Sequence, residues 1–348
     1  MINGAISHDQ VTRMLLGKKQ SSREWWLFVK PYVRQRQCED GVLIVDDPIE
    51  EKPYTDENDI ICWHYDHAKG CTVKVINFIT ALYHAQDVFW PVGFEIVSKT
   101  EWYEDKKTGK KKWKSKETKN ERYRCLLKQA VQNEILSLYV LNGIWFASAG
   151  NMRLVKLDSH KDFIMGLKEN RKVALSEEAR ARGQAPVHQQ TDVAGRYACH
   201  DFPGGGAISF LSQPPALQKR RWLDGGALSV ISGLSLIAGQ IVTIYQKRWN
   251  TEEYHQSLKQ NASLAKSSIR TETTQTNHFV AALRANMKLE WLKVQMKRNY
   301  YQLKSQLYLS ALPQAFKEIR RLQYDLAFLP LTAQQKFISI LSYEYSIG

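Results

Sequence analysis

Residues 41–47 have the sequence Gly-Val-Leu-Ile-Val-Asp-Asp, a continuous apolar run that ends in two carboxylates. A short apolar run of this kind predicts a buried strand. Two further β-rich runs follow at residues 72–83 and 88–97. Three consecutive strands indicate a meander, so a sheet forms the centre of the predicted fold.

The chain after this meander alternates between helical and strand patterns. A helix is predicted over about residues 116–136, a buried strand over 137–146 and a short helix over 151–157. The order strand, strand, strand, helix, strand, helix predicts a mixed α/β core. Residues 7–36, before the meander, have a helical pattern that we expect Pro31 to end.

The second half of the sequence contains an irregular region and then helices. Residues 170–226 include four prolines and three consecutive glycines, which predicts an inserted, irregular or β-rich region. Residues 227–244 lack charge over 18 positions, a length that could span a membrane. Glycine, glutamine and serine dilute this run, so we expect buried strands and a helix start there, and no membrane partner. The remainder is predicted to be helical, with breaks at Pro313 and Pro330.

The charge balance points to a polyanionic partner. The 348 residues include 49 Lys and Arg against 35 Asp and Glu, which gives a formal net charge of +14. Five scattered cysteines do not indicate a disulfide framework, and residues 1–20 lack the apolar stretch of a signal peptide. These features predict a cytoplasmic location.

A polar stripe lies on one helix in the second half of the chain. Tyr245, Arg248, Glu252 and Lys259 fall within about 60° of one another around a helix axis. A phenol, two cations and a carboxylate on one face suit a surface that holds a metal ion beside a phosphate backbone. The alternative is a solvated helix face with an ion pair between Arg248 and Glu252.

Two further groups of side chains could bind a metal. Asp46 and Asp47 follow a buried strand, where carboxylates can form an oxygen-liganded Mg²⁺ site, although the sequence Asp-Asp-Pro is also typical of a turn. The second group could bind zinc as a structural module, but its spacing matches no standard zinc finger. Its members are Cys62, His64, Asp66, His67 and Cys71.

The spacing Y-x2-R-x3-E-x6-K at Tyr245, Arg248, Glu252 and Lys259 resembles the signature of bacterial insertion-sequence DDE transposases. Three further blocks are similar to the family in the same order, at residues 46–58, 61–67 and 145–152. The resemblance spans residues 7–168 and 240–295. It implies an RNase H-like α/β fold, a mixed sheet with flanking helices. The implied segments are a helical DNA-binding module (1–40), the first part of the core (41–168), an inserted irregular or β-rich region (169–239), the glutamate-bearing helix of the core (240–298) and a helical C-terminal region (299–348).

The resemblance also implies a chemistry, namely metal-dependent cleavage and transfer of DNA strands at insertion-sequence ends. In the family, two aspartates and a glutamate bind two Mg²⁺ or Mn²⁺ ions. Here Asp47 is the expected first ligand, with Asp46 as the alternative, and Glu252 is the expected third. Tyr245, Arg248 and Lys259 are expected to contact phosphates. The implied partners are double-stranded terminal repeats and target DNA, bound by a homodimer associated with the bacterial nucleoid.

One position departs from the family in a way that affects this chemistry. The second aspartate is expected two residues before Trp145, and Gly143 occupies that position. A glycine side chain offers no ligand, so the sequence predicts a degenerate copy of doubtful activity. The alternative function is a catalytically inactive protein that still binds transposon ends. Lys110, Lys111 and Lys112, in a segment with eight lysines over residues 106–119, are expected either to contact phosphates or to form a solvated loop.

Overall fold

A computed structural model describes residues 7–66, 69–104, 106, 109, 111–167, 172–173, 185–186, 209–212, 228–232, 236–266 and 269–327. The chain divides into two compact units, one of which is Thr12–Glu290. The other combines Met1–Val11 with Trp291–Gly348. The sheet and the candidate site belong to the Thr12–Glu290 unit.

The described residues contain the following helices and strands. The helices are α1 (His8–Leu16), α2 (Ser22–Arg36), α3 (Lys119–Gln132), α4 (Ala149–Arg153), α5 (Ala238–Gln260), α6 (Glu272–Met296) and α7 (Tyr300–Ala327). A π-helical turn, Leu154–Asp158, follows α4, and a 3-10 turn, Leu264–Lys266, follows α5. The strands are β1 (Val42–Asp46), β2 (Ile49–Glu51), β3 (Ile61–Asp66), β4 (Cys71–Ala85), β5 (Val88–Ile96), β6 (Glu101–Glu104), β7 (Lys111–Lys114), β8 (Tyr139–Asn142), β9 (Asp162–Gly166), β10 (Lys172–Val173), β11 (Ala185–Pro186), β12 (Ser209–Ser212) and β13 (Leu228–Ile231).

Among the described residues, nine strands form one mixed sheet. Its order is β12-β13-β9-β8-β1-β4-β2, and β3 and β5 also pair with β4. Strands β1, β4 and β5 are antiparallel neighbours, whereas β8 is parallel to β1 and β9 is parallel to β8. The prediction of a mixed α/β fold, with flanking helices and a helical C-terminal part, is therefore confirmed.

Helices cover both faces of this sheet. Side chains alternate along a strand, so Gly93 and Phe94 of β5 point to opposite faces. Leu126 of α3 packs against Gly93. Phe279 of α6 packs edge-on against Phe94, with ring centroids 5.1 Å apart. Hence α3 lies on one face and α6 on the other.

Two helices continue through prolines at which breaks were predicted. Helix α2 extends past Pro31 to Arg36, and α7 contains Pro313. A proline removes one backbone hydrogen bond and bends a helix, but packing on both sides can hold the helix together. In α2, Val29 before the proline and Val33 after it are both fully buried. The second predicted break, Pro330, lies outside the described residues.

The described part of the inserted region extends the sheet. Strand β13 pairs with β9, and β12 pairs with β13, both in antiparallel register. Residues 174–184, 187–208 and 213–227 lie outside the described residues. The uncharged run at 227–244 contributes β13 and the beginning of α5. Of the helices that the structure describes, none combines the length and the apolar character needed to cross a membrane.

Candidate active site

Asp46 and Asp47 point to opposite faces of the sheet. Asp46 pairs with Thr80 of β4, and the same register continues to Ile49, which pairs with Asn77. The backbone is therefore extended through both aspartates, and the alternation of side chains applies to them. Asp46 shares its face with Glu50, and Asp47 lies on the other.

The Asp46 face is covered by α5. Oδ2 of Asp46 lies 3.5 Å from Nδ1 of His255, and only 19% of the Asp46 side chain is exposed. Burial, together with the nearby charge of Lys259, lowers the pKa of His255 to about 3. The imidazole is thus neutral at neutral pH, so this is a contact between a neutral ring and a carboxylate.

The partners of His255 assign its tautomer. A carboxylate only accepts hydrogen bonds, so Nδ1 carries the proton where it faces Asp46. The Thr80 hydroxyl lies 3.3 Å from Nε2 and also donates to the Asp46 carbonyl, at 3.5 Å. Because both ring nitrogens have partners, His255 holds the Asp46 carboxylate in a defined position between β4 and α5.

Asp47 is engaged on the opposite face by α3. Its Oδ2 accepts a hydrogen bond of 2.6 Å from Nζ of Lys119, the first residue of that helix. The side chains of Asp47 and Lys119 are 18% and 38% exposed. The structure therefore brings Asp46, not Asp47, to the helix that carries Glu252.

The polar stripe of α5 packs towards the sheet. Tyr245 is 7% exposed and Arg248 4%. The Tyr245 hydroxyl lies beside Gly166 at the end of β9, and the Arg248 guanidinium lies 5.6 Å from the centre of the Tyr245 ring. A cation over an aromatic face is a favourable way to bury a guanidinium. The sequence suggested an accessible stripe, but these two members are largely inside the protein.

Lys259, the last member of the stripe, is bound to β2. Its Nζ donates a 2.6 Å hydrogen bond to the carbonyl of Ile49 and lies 3.7 Å from Oε2 of Glu50. Burial raises the pKa of Glu50, whereas the charge of Lys259 acts to lower it. Lys259 therefore joins α5 to the strand that follows the two aspartates.

Glu252 lies on the same helix, one turn before His255. Residues three apart on a helix are neighbours on its surface, so Glu252 is directed to the same part of the fold as the His255 contact with Asp46. The Glu252 side chain is half-buried.

Gly143 follows β8, which is parallel to β1, so it lies at the same end of the sheet as Asp46. Asn142, the residue before it, is fully buried and accepts a 3.1 Å hydrogen bond from the Tyr123 hydroxyl of α3. Asn142 therefore points to the α3 face. The β1–β8 register ends with the pair Val45 and Asn142, so Gly143 directly follows β8 next to the end of β1, which carries Asp46. The Asn142 amide also donates to the Gly143 carbonyl, at 3.0 Å.

The described side chains do not form a complete metal site. Within the ranges that the structure describes, no three His, Cys, Asp or Glu side chains come together in a way that could hold a metal ion. This applies to the zinc alternative as well, except for His67, which lies outside the described residues. The Cys62 thiol contacts the Asn58 carbonyl at 3.1 Å, and burial raises its pKa.

Three lysines of the 106–119 segment, Lys111, Lys112 and Lys114, belong to a separate hairpin. Lys111 and Lys112 lie on β7, which pairs with β6 in a two-stranded sheet. Lys111 is exposed. Lys110 lies outside the described residues.

Sequence reasoning missed the contacts of His255 and Lys119. His255 falls on the same helical face as the stripe, three residues after Glu252, and this spacing was the available signal. No comparable signal marked Thr80 or Lys119, because their contacts depend on which elements meet in three dimensions.

Comparison with known proteins gives little further information. No family model matches the sequence, and no curated protein matches it. Among solved structures, the chain is similar to a Drosophila P element transposase strand transfer complex, with 9% sequence identity and a TM-score of 0.18. The match covers 47% of this chain and 41% of that one, so it spans about two fifths of the length of the solved chain. A likeness this small carries no argument about function.

Proposed function

We propose that this chain is a DNA-binding protein of the DDE-transposase type in which DNA strand cleavage is crippled by the glycine at position 143. The observation that carries the proposal is the arrangement at the ends of β1 and β8. Asp46 faces the helix that bears Glu252, and Gly143 directly follows β8, next to the end of β1 that carries Asp46. Two of the three carboxylates of a DDE site thus have candidates, and the third position has none.

The same arrangement supports Asp46 over Asp47 as the first acidic residue. Asp46 is held on the α5 face by His255. Asp47 is held on the other face by Lys119, a cation that competes with any metal ion for the carboxylate.

The side chains that the structure describes do not fit a pair of divalent metal ions. Two cations about 3.5–4 Å apart rely on several carboxylates to neutralise their charge. The described residues offer no cluster of three ligands. Mg²⁺ or Mn²⁺ remains an expectation of the family resemblance, and we derive no catalytic step through them.

DNA as the partner is supported by charge. A net charge of +14 favours binding to a polyanion through contacts that do not depend on base sequence. Recognition of terminal repeats, and assembly as a homodimer on DNA, are proposed from the resemblance alone.

The test restores the missing carboxylate. A supercoiled plasmid carrying the genomic DNA around the coding sequence is incubated with Mg²⁺ or Mn²⁺ and each of three proteins: the natural chain, Gly143→Asp, and Gly143→Asp combined with Glu252→Ala. We expect only Gly143→Asp to nick the plasmid. Nicking by the natural chain that survives Glu252→Ala in that background would show that the active site lies elsewhere.

A further inference from the structure

We propose that the β6–β7 hairpin, here called the ribbon, is an arm that binds duplex DNA by entering its major groove. The proposal deepens the proposed function, because it names the surface that would hold DNA. It rests on the shape, the exposure and the charge of the ribbon.

The ribbon is a small sheet of its own. Its register pairs Glu101 with Lys114, Trp102 with Trp113, Tyr103 with Lys112 and Glu104 with Lys111. A two-stranded ribbon has dimensions that the major groove of B-DNA, about 12 Å wide, can admit. A ribbon of this kind can therefore enter the major groove of duplex DNA.

An aromatic pair stabilises the ribbon. Two-stranded hairpins are only marginally stable in water, so a free-standing ribbon needs additional contacts. The rings of Trp102 and Trp113 lie against each other across the strands. Cross-strand aromatic pairs of this kind stabilise a hairpin. The contact between Trp102 and Trp113 therefore accounts for both tryptophans as residues that hold β6 and β7 together.

Most of the ribbon is accessible to a partner. Trp102 is 58% exposed and Tyr103 41%. Exposed side chains on both strands include Trp102, Tyr103, Glu104, Lys111 and Lys114.

The charge of the segment favours phosphate. Residues 101–116 contain seven lysines against three acidic residues, a net charge of +4. The Lys114 ammonium lies 3.7 Å from the Glu101 carboxylate, but both side chains are about half exposed, so this pair is weak and can open. Lysines on an exposed strand can reach the phosphates on either side of a groove.

Duplex DNA fits the ribbon better than a single strand. Single strands are held mainly by bases that stack on free aromatic faces. Trp102 and Trp113 cover one face of each other's rings, which leaves fewer faces for bases. Duplex binding needs the lysines and the shape, which the ribbon retains.

The experiment measures binding of the full chain to a labelled duplex of about 20 base pairs of arbitrary sequence, between about 50 and 200 mM salt and with a chelator present. Lys111→Gln with Lys114→Gln is compared with Lys30→Gln plus Lys128→Gln, which removes two exposed lysines from α2 and α3. We expect the ribbon variant to bind the duplex more weakly than the natural chain does. The magnitude of its slope of log K against log salt should be smaller by about 2. We expect the control variant to behave as the natural chain.

Two results would overturn the proposal. The first is an equal loss in both double variants, which would mean that only total charge matters. The second is a single strand of the same length that binds the natural chain more tightly than the duplex. Near-ultraviolet circular dichroism of the tryptophans checks that the ribbon still folds. Because no cleavage is measured, failure of the Gly143→Asp test leaves this result interpretable, and the reverse also holds.

Discussion

Neutralising Asp46 and Asp47 one at a time should separate their roles. Asp46→Asn and Asp47→Asn differ from the natural residues by little more than charge. In a Gly143→Asp background, we expect Asp46→Asn to abolish nicking, because Asp46 faces the Glu252 helix. We expect Asp47→Asn to retain nicking and to lose stability, because Asp47 binds Lys119.

The contacts give the size of the stability loss expected for Asp47→Asn and of the rate loss expected for Asp46→Asn. A charge-assisted hydrogen bond of 2.6 Å contributes about 1.5–3 kcal/mol when buried, whereas exposed ion pairs contribute about 0.2–1. Lys119 is 38% exposed, so we discount the Asp47 contact to about 1 kcal/mol. For a protein of this size that corresponds to a fall in Tm of about 2 °C. Changing a residue that only orients a metal ligand costs about 10–100-fold, so loss of a ligand should cost more than about 100-fold in rate.

The assay pairs gel analysis of plasmid nicking with thermal unfolding followed by circular dichroism. Asp47→Asn has its own stability readout, which does not require an active enzyme. The reasoning would be refuted if Asp47→Asn abolished nicking while Asp46→Asn retained it, because the assignment of the two faces would then be wrong.

Three further predictions concern stability. Phe279→Ala should lower the free energy of unfolding in urea by about 3–5 kcal/mol, because the ring is buried and stacks on Phe78 at 4.4 Å; a loss below about 1 kcal/mol would contradict that packing. Asn142→Leu should cost about 1–3 kcal/mol by leaving the buried Tyr123 hydroxyl without its acceptor, and adding Tyr123→Phe should recover part of this; no recovery would argue against the hydrogen bond. Burial lowers the pKa of His64 from 6.5 to about 4, so the unfolded chain binds the proton more readily than the folded one. Stability should therefore fall as the pH drops through this window, by at most about 1.4 kcal/mol per pH unit, and unfolding at several pH values should show a shallower fall for His64→Gln.

The main strands could be predicted because they are continuous apolar runs. Residues 41–45 and 88–97 correspond closely to β1 and β5. Strand β4 is longer than the run at 72–83 predicted, since it begins at Cys71 and pairs there with β3. The extra length depends on a partner strand, and periodicity within one segment carries no information about partners.

The buried stripe of α5 shows a different limit of sequence reasoning. Helical spacing placed Tyr245, Arg248 and Lys259 on one face, and the structure has them on a helix whose face turns to the sheet. Their polar character suggested an accessible surface. In the fold, the Arg248 charge lies over an aromatic ring and Lys259 reaches a backbone carbonyl. Polar residue types thus indicated contacts, but they did not indicate whether the partners were inside or outside the protein.

The two aspartates show why the site itself could be located only in part. An apolar run followed by two acidic residues places one carboxylate on each face of a sheet, because side chains alternate. Which face the Glu252 helix covers is decided by a segment about 200 residues further along the chain, and no local pattern encodes it. The contacts of Asp46 with His255 and of Asp47 with Lys119 supply that information. Once the faces are assigned, the absence of a carboxylate at Gly143 matters specifically to Asp46, and restoring it there is the change most able to reveal whether this protein once cut DNA.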